Sequence, residues 1–249
     1  MFLSPGSRAV PGEEVRRKSP LPSAGQVAVW LNNKFIKGAP AAPTTQSLTA
    51  GTGATYTTPA GVLWIEVFAV GGGGGGDGVS TTATVSGSDG GTTTFNGINA
   101  AGGKGATTSG ASTVGGAGGS GGTGTATRRG RGSPGGGAIN ATAAVGGPSG
   151  NGGSSYFAGG AAGLIGNATS AGVSADANSG AGGSGAVNPT GALFEIGSGG
   201  GAGEFFYLII NAPAASYTYT IGAGGAGGVS TNNGGAGGTG FIFVIEHYC

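Results

Sequence analysis

The stretch GVLWIEVFAVGGGGGG, residues 61–76, joins two kinds of order in one segment. Residues 62–70 alternate as a strand does: Leu63, Ile65, Val67 and Ala69 fall on one face, and Val62, Trp64, Phe68 and Val70 on the other. Glu66 is the single charge. Apolar residues on both faces predict a central strand or one covered on both sides. Six glycines then follow without interruption, where neither a helix nor a strand has a side chain to pack.

Working outward, the same glycine chemistry recurs as GGAGGSGGTG at Gly115–Gly124 and as GGAGG from Gly224 and from Gly234. The repeat is Gly-Gly-X, a period of three. That is neither the 3.6 of an α-helix nor the 2 of a strand. It is the period of the polyproline-II helix, which rises about 3.1 Å per residue and forms no internal hydrogen bonds. Helices with two glycine faces can approach backbone to backbone and bond their N–H and C=O groups to one another, which satisfies the requirement that buried backbone be paired. Cα–H···O contacts add small increments. Ordering glycine is entropically costly, so only a cooperative, saturated bundle offsets it.

Further strands stand at the far end of the chain. They are EFFYLII at Glu204–Ile210, SYTYTIG at Ser216–Gly222 and GFIFVIEHY at Gly240–Tyr248. Strands at both ends must pair to hide their edges. The expected fold is all-β and irregular, with little or no α-helix. The two ends of residues 51–249 form a small β-sandwich, and residues 71–203 form an insertion of packed polyglycine-II helices. The rare bulky residues of that insertion, Phe95, Tyr156, Phe157, Leu164, Ile165, Leu193 and Phe194, fall in less glycine-rich stretches expected to be loops. So does the basic cluster Arg128, Arg129 and Arg131. For Phe205, Phe206 and Tyr207 the sequence favours core strand.

Ahead of this body, residues 1–25 carry Glu13, Glu14, Arg16, Arg17 and Lys18 among prolines and predict an extended anchor arm. Residues 26–38, QVAVWLNNKFIKG, predict a β-hairpin turning at Asn32-Asn33, and residues 39–50 a linker. Domains are thus expected at 1–25, 26–50 and 51–249.

Composition removes several classes. Glycine is 64 of 249 residues, but prolines number 11 and no strict triplet runs the length of the chain, which excludes collagen. Charged residues make up 8%, too few for a typical disordered chain. The net charge of +1 argues against nucleic-acid binding. No stretch approaches the ~20 apolar residues of a membrane span. The N-terminal residues lack the apolar run of a secretory signal, so synthesis without signal-directed export is expected. The single cysteine, Cys249, forms no internal disulfide, and His247 beside it does not complete a zinc site; both are expected in a frayed tail. The sequence GGKGATT approaches a phosphate loop but places Gly105 after Lys104 and Ile98 where the first glycine belongs. No catalytic residue, metal or cofactor is expected, and the chain is read as a non-enzyme.

The segments YTTPAGVLWIEVFAVGGGGGG and, much later, YTYTIGAGGAGG…NGGAGGTGFIFVIEHY resemble the glycine-rich domain of tailed-phage tail-fibre and receptor-binding proteins. That family typically opens with a T-P-A-G-V strand entering polyglycine and closes with a glycine run into an apolar strand. The matches are Thr58–Val70 and Tyr217–Ile245. The insertion is similar in style to the distal adhesins of T-even-like phages, in which polyglycine-II helices present receptor-reading loops. The resemblance implies a virion protein, a tail-fibre or fibre-tip adhesin that binds a host-surface protein or glycan. A capsid fibre or head decoration protein is the alternative, and a bacterial cell-wall glycine-rich protein a remote one. On this reading Phe95, Arg128, Arg129, Arg131, Tyr156, Phe157 and Phe194 are candidate receptor contacts. For Tyr156-Phe157 the competing role is packing between bundle and sheet; for the arginines it is a solubilising loop. Arg16, Arg17, Lys18, Trp30 and Phe35 are candidate anchors to other virion proteins, and a homotrimer is expected.

Overall fold

The computed structural model describes residues 28–31, 34–37, 41–109, 112–139, 141–142, 147–165, 168–189 and 193–248. The chain divides into two compact units, residues 1–42 with 249, and residues 43–248. In the first, strands Ala28–Leu31 and Lys34–Lys37 pair antiparallel, with Leu31 opposite Lys34 and Trp30 opposite Phe35. That register leaves a two-residue connection, as the Asn32-Asn33 turn requires. Asn32, Asn33 and the anchor candidates Arg16, Arg17 and Lys18 lie outside the described residues.

The second unit is all-β, with no helix among its described residues. Its base holds two antiparallel sheets. One has five strands, in the order Arg128–Gly130, Phe205–Asn211, Val62–Val70, Phe241–Tyr248 and Thr44–Leu48. The other has four: Ala54–Thr57, Ser216–Thr220, Thr93–Phe95 and Ile98–Ala100. The alternation read from residues 62–70 sets the layers. Ile65, Val67 and Ala69 meet Phe206, Ile242 and Val244 from the neighbouring strands and pack on Tyr56, Phe95, Ile98 and Tyr217. Val62–Val70 is central, paired on both sides. One charge enters this core. Glu246, 1% exposed, accepts hydrogen bonds from the Tyr56 hydroxyl at 2.7 Å and the Gln46 amide at 2.6 Å, and another from Thr44. Burial and the bond to Glu246 push the Tyr56 phenol far up, so it remains a donor.

Two expectations need correcting. Residues 44–48 are an edge strand rather than part of a linker; Thr44 and Gln46 turn inward to bond Glu246. The sandwich is also not built from the chain ends alone. Thr93–Phe95, Ile98–Ala100 and Arg128–Gly130 come from within the glycine-rich segment and complete both sheets.

Beyond Val70 the chain enters a lattice of backbone. The N–H groups of Gly71, Gly74 and Asp77 donate to the carbonyls of Glu204, Gly201 and Ser198. Those of Gly72 and Gly75 donate to Gly91 and Ser88, and those of Gly73 and Gly76 to Gly238 and Gly235. In return the segment accepts from Gly103 and Ala106, from Gly225 and Gly228, and from Gly183 and Ala186. All these distances are 2.8–3.0 Å. Each partner recurs every third residue, so residues 71–77 have three faces and six neighbouring segments, the pattern of a three-residues-per-turn helix in a hexagonal array. Residues 180–186 and 197–204 are bonded in the same way and are buried throughout.

The peripheral segments keep one face outward. In residues 222–229, Gly222, Gly225 and Gly228 are buried while Ala223, Ala226 and Val229 are exposed. In residues 115–123 the outward positions are Ala117, Ser120 and Thr123. In these peripheral segments the X of Gly-Gly-X marks the solvent face, whereas in the buried segments small residues such as Ala181, Ser184, Ser198 and Ala202 are enclosed as fully as the six glycines of 71–76. The lattice also takes in residues 222–228 and 234–240, which lie outside the 71–203 insertion.

Seven residues at about 3.1 Å each carry the chain about 20 Å from the sandwich. There it meets short ladders that include Gly78–Val79 with Thr84–Val85, and Val187–Asn188 with Leu193–Ile196. Ala138, Val187 and Ile196, with Leu164 against them, form a second small core.

Candidate functional site

The outer face of the five-stranded sheet carries the largest collection of aromatic side chains outside the core. Register explains it: Tyr207, Phe68 and Phe243 are cross-strand neighbours in one row, Phe205 and Phe241 flank Val70 in the next, and Trp64 sits opposite His247. All eight strand positions project away from the four-stranded sheet because they alternate with the core residues. Phe68 and Tyr207 lie 4.8 Å apart, centroid to centroid, and Trp64 stacks on His247 at 3.5 Å. Glu66 ties the rows together: it accepts from the Tyr207 hydroxyl at 2.6 Å, and its other oxygen lies 2.9 Å from His247 Nε2. That hydrogen bond is the main reason the Tyr207 phenol is pushed up to about 12, so it is uncharged at neutral pH. His247 is thus part of a strand rather than of a frayed tail.

A loop from the lattice folds over one end of this face. Residues 149–154 run back toward the sandwich, with Gly150 and Gly153 donating to Gly197 and Gly200. The chain then turns at Ser155, whose hydroxyl accepts from the N–H groups of Phe157 and Ala158 and whose own N–H donates to the Ala158 carbonyl. This serine turn fixes the two following aromatics. Tyr156 lies flat on Phe205, with centroids 3.9 Å apart and an interplanar angle of 7°; Phe157 meets Phe205 and Phe241 edge-on. The packing role is therefore real, yet Tyr156 remains 65% exposed.

Beside Tyr156 opens a cleft of about 390 Å³ lined by Phe68, Thr127, Arg128, Tyr156, Phe205 and Tyr207. Arg128 lies opposite Tyr207 in the sheet register. Its side chain is exposed, and the guanidinium makes no hydrogen bond or ion pair with another described residue.

The structure separates the other sequence candidates. Phe95 is 0% exposed in the sandwich core, stacked among Tyr56 and Tyr217, and is withdrawn as a receptor contact. Arg129 alternates with Arg128 and points the other way. It donates to the carbonyls of Asn99, Thr123 and Gly124 and lies 3.4 Å from Glu204, which fastens the 120–124 loop; this is a structural role. Arg131 lies at a separate groove along the lattice, beside Ser120. Phe194 pairs with Ala141 in the far ladders. Of the seven candidates, Arg128, Tyr156 and Phe157 come together. Sequence reading missed Phe68, Phe205 and Tyr207 as their companions. The available signal was the alternation itself, since a central strand with apolar residues on both faces, Trp64 and Phe68 on the one turned from the core, implies a second surface. Trp30 and Phe35 are cross-strand partners in the hairpin of the first unit.

Among the described residues no group of three or more metal-ligating side chains is gathered, and no helix is long and apolar enough to cross a membrane. No protein-family model, no curated protein and no solved structure matches the chain.

Proposed function

We propose that this chain is a phage virion adhesin, carried on a tail fibre or fibre tip, that binds a host-surface molecule through the aromatic face of its five-stranded sheet. The observation that supports this most directly is the convergence of Arg128 and Tyr156 on an outward-facing cleft, with Phe157 packed edge-on against Tyr156, Phe205 and Phe241 beside it. Rigid aromatic rings supply contact area at little entropic cost, and a scaffold that fixes its loops is the usual support for a binding site. The lattice suits display on a particle: its order rests on mutual backbone bonding, so its loops stay in place without a bulky side-chain core. Residues 1–50 anchor the chain to other virion proteins, and the assembly is a homotrimer.

The test is adsorption competition. Purified full-length protein is expected to block phage adsorption, and Tyr156→Ala with Phe157→Ala to abolish the block while the chain still melts cooperatively, at a temperature lowered by the packing lost on Phe205 and Phe241. A wild-type chain that never competes would overturn the reading. Immunogold labelling of virions locates the protein: label on the fibres supports attachment, label over the head makes it a decoration protein, and no label returns the cell-wall reading to first place.

A further inference from the structure

We infer that the cleft beside Tyr156 takes an acidic saccharide, with a pyranose ring against the aromatic walls and a carboxylate on Arg128. The inference rests on the attachment reading above and names its ligand class. Three observations carry it.

The first is the unpaired guanidinium. Arg129 makes three bonds to carbonyls and reaches Glu204, whereas the exposed guanidinium of Arg128, one residue away, bonds to no described residue and lines a cleft. Guanidinium is a rigid fork that matches a carboxylate with two parallel bonds. The one carboxylate on this face, Glu66, is already engaged by Tyr207 and His247, so it does not compete for Arg128.

The second is the donor balance. Thr127 accepts from the Ile209 N–H at 3.2 Å, which leaves its own hydroxyl hydrogen to donate. The Tyr156 hydroxyl bonds to no described residue. Each hydroxyl can donate or accept, and the guanidinium, which only donates, tips the balance of the lining toward donors. A sugar acid brings ring, hydroxyl and carboxylate oxygens.

The third is shape. Tyr156 is braced flat on Phe205 and held by the Ser155 turn, so an exposed ring face is available before any ligand arrives. A pyranose lays its C–H face on such a ring, whose π-face is electron-rich.

Saturation-transfer NMR and calorimetry on the full chain test this with glucuronate, galacturonate and N-acetylneuraminate, against glucose, galactose and acetate. The acidic sugars are expected to bind and the neutral sugars and acetate to bind at least about tenfold more weakly, the loss of a charge-assisted bond or of the stacking surface. Arg128→Gln is expected to erase the preference for acid while leaving the melting temperature unchanged, and Tyr156→Ala to weaken every sugar. Binding by none of the acidic sugars, equal binding of acidic and neutral sugars, or indifference to Arg128→Gln each overturns the inference. If the sugars fail while the protein still blocks adsorption, attachment stands and the ligand class falls. If Tyr156→Ala instead changes the sedimentation coefficient of the wild-type assembly and no sugar binds, the face belongs to a second copy of the chain.

Discussion

In the sandwich, Ile65, Phe206 and Val244 are fully buried against other side chains. In the lattice, Gly71–Gly76 are just as buried, and the atoms around them are carbonyls and amides of neighbouring segments. A side-chain core has slack, because rotamers shift and neighbours partly fill what is lost. A backbone lattice has none. Its spacing is set by N–H···O bonds on all three faces, and a methyl group has nowhere to go unless whole segments move. The two regions should therefore respond in opposite ways to adding and removing atoms.

The largest effect is expected from the smallest addition. A Cβ at Gly73 would stand 1.9 Å from the Ala181 carbonyl oxygen, and one at Gly200 would stand 2.2 Å from that of Gly74. Gly73→Ala and Gly200→Ala should each cost more than about 5 kcal/mol, beyond the ordinary range for one substitution. The readout is loss of soluble, cooperatively melting protein; a Gly73→Ala chain that melts within a few degrees of wild type would refute the close-packed lattice. In the sandwich, deletion of a whole ring should cost less. Phe206→Ala is expected to lose about 3–5 kcal/mol and still fold if the starting stability allows it, as measured by denaturant titration.

Asp77 sharpens the comparison, since it puts a carboxylate inside the buried lattice. It is 0% exposed; one oxygen accepts from the Ser198 N–H at 3.2 Å, and the other, Oδ1, has no hydrogen-bond partner within bonding geometry among the described residues. Burial pushes its carboxyl up from 3.8 to about 6. The folded chain then holds this proton more tightly than the unfolded chain. The stabilisation is complete below pH 3.8 and is lost as pH rises through about 6, a change of about 3 kcal/mol at most. Melting at pH 4.5 and pH 7.5 should show Asp77→Asn narrowing the gap between the two by raising the value at pH 7.5. Equal pH dependence in wild type and variant would remove Asp77 as the source.

The smallest effect is expected at Gly159, where a Cβ would meet nothing within 4 Å and φ is not left-handed. Gly159→Ala should leave stability within about 0.5 kcal/mol or raise it slightly. Set beside Gly73→Ala, it separates lattice packing from glycine content as such.

Much of this was legible in residues 61–76. Alternation over Val62–Val70 revealed a central strand, and the triplet glycine repeat revealed three-faced segments. Other features were not. Phe95 reads as a loop aromatic because only three residues of strand surround it, and its burial follows from pairing with Thr218–Thr220, more than a hundred residues away. Arg128 and Arg129 look equivalent in the sequence; the strand pleat sends one to the cleft and the other to Glu204. Tyr156 gave no sign that Phe205 lay beneath it.

By itself the sequence determined which residues can pack side chains and which can pack only backbone, because alternation and glycine period are local properties of the chain. Which glycine segment neighbours which, and which aromatics share a surface, only the tertiary structure decided. Polyglycine segments are chemically alike, so nothing local distinguishes one partner from another. Their order in the array is imposed by the strands that enter and leave it.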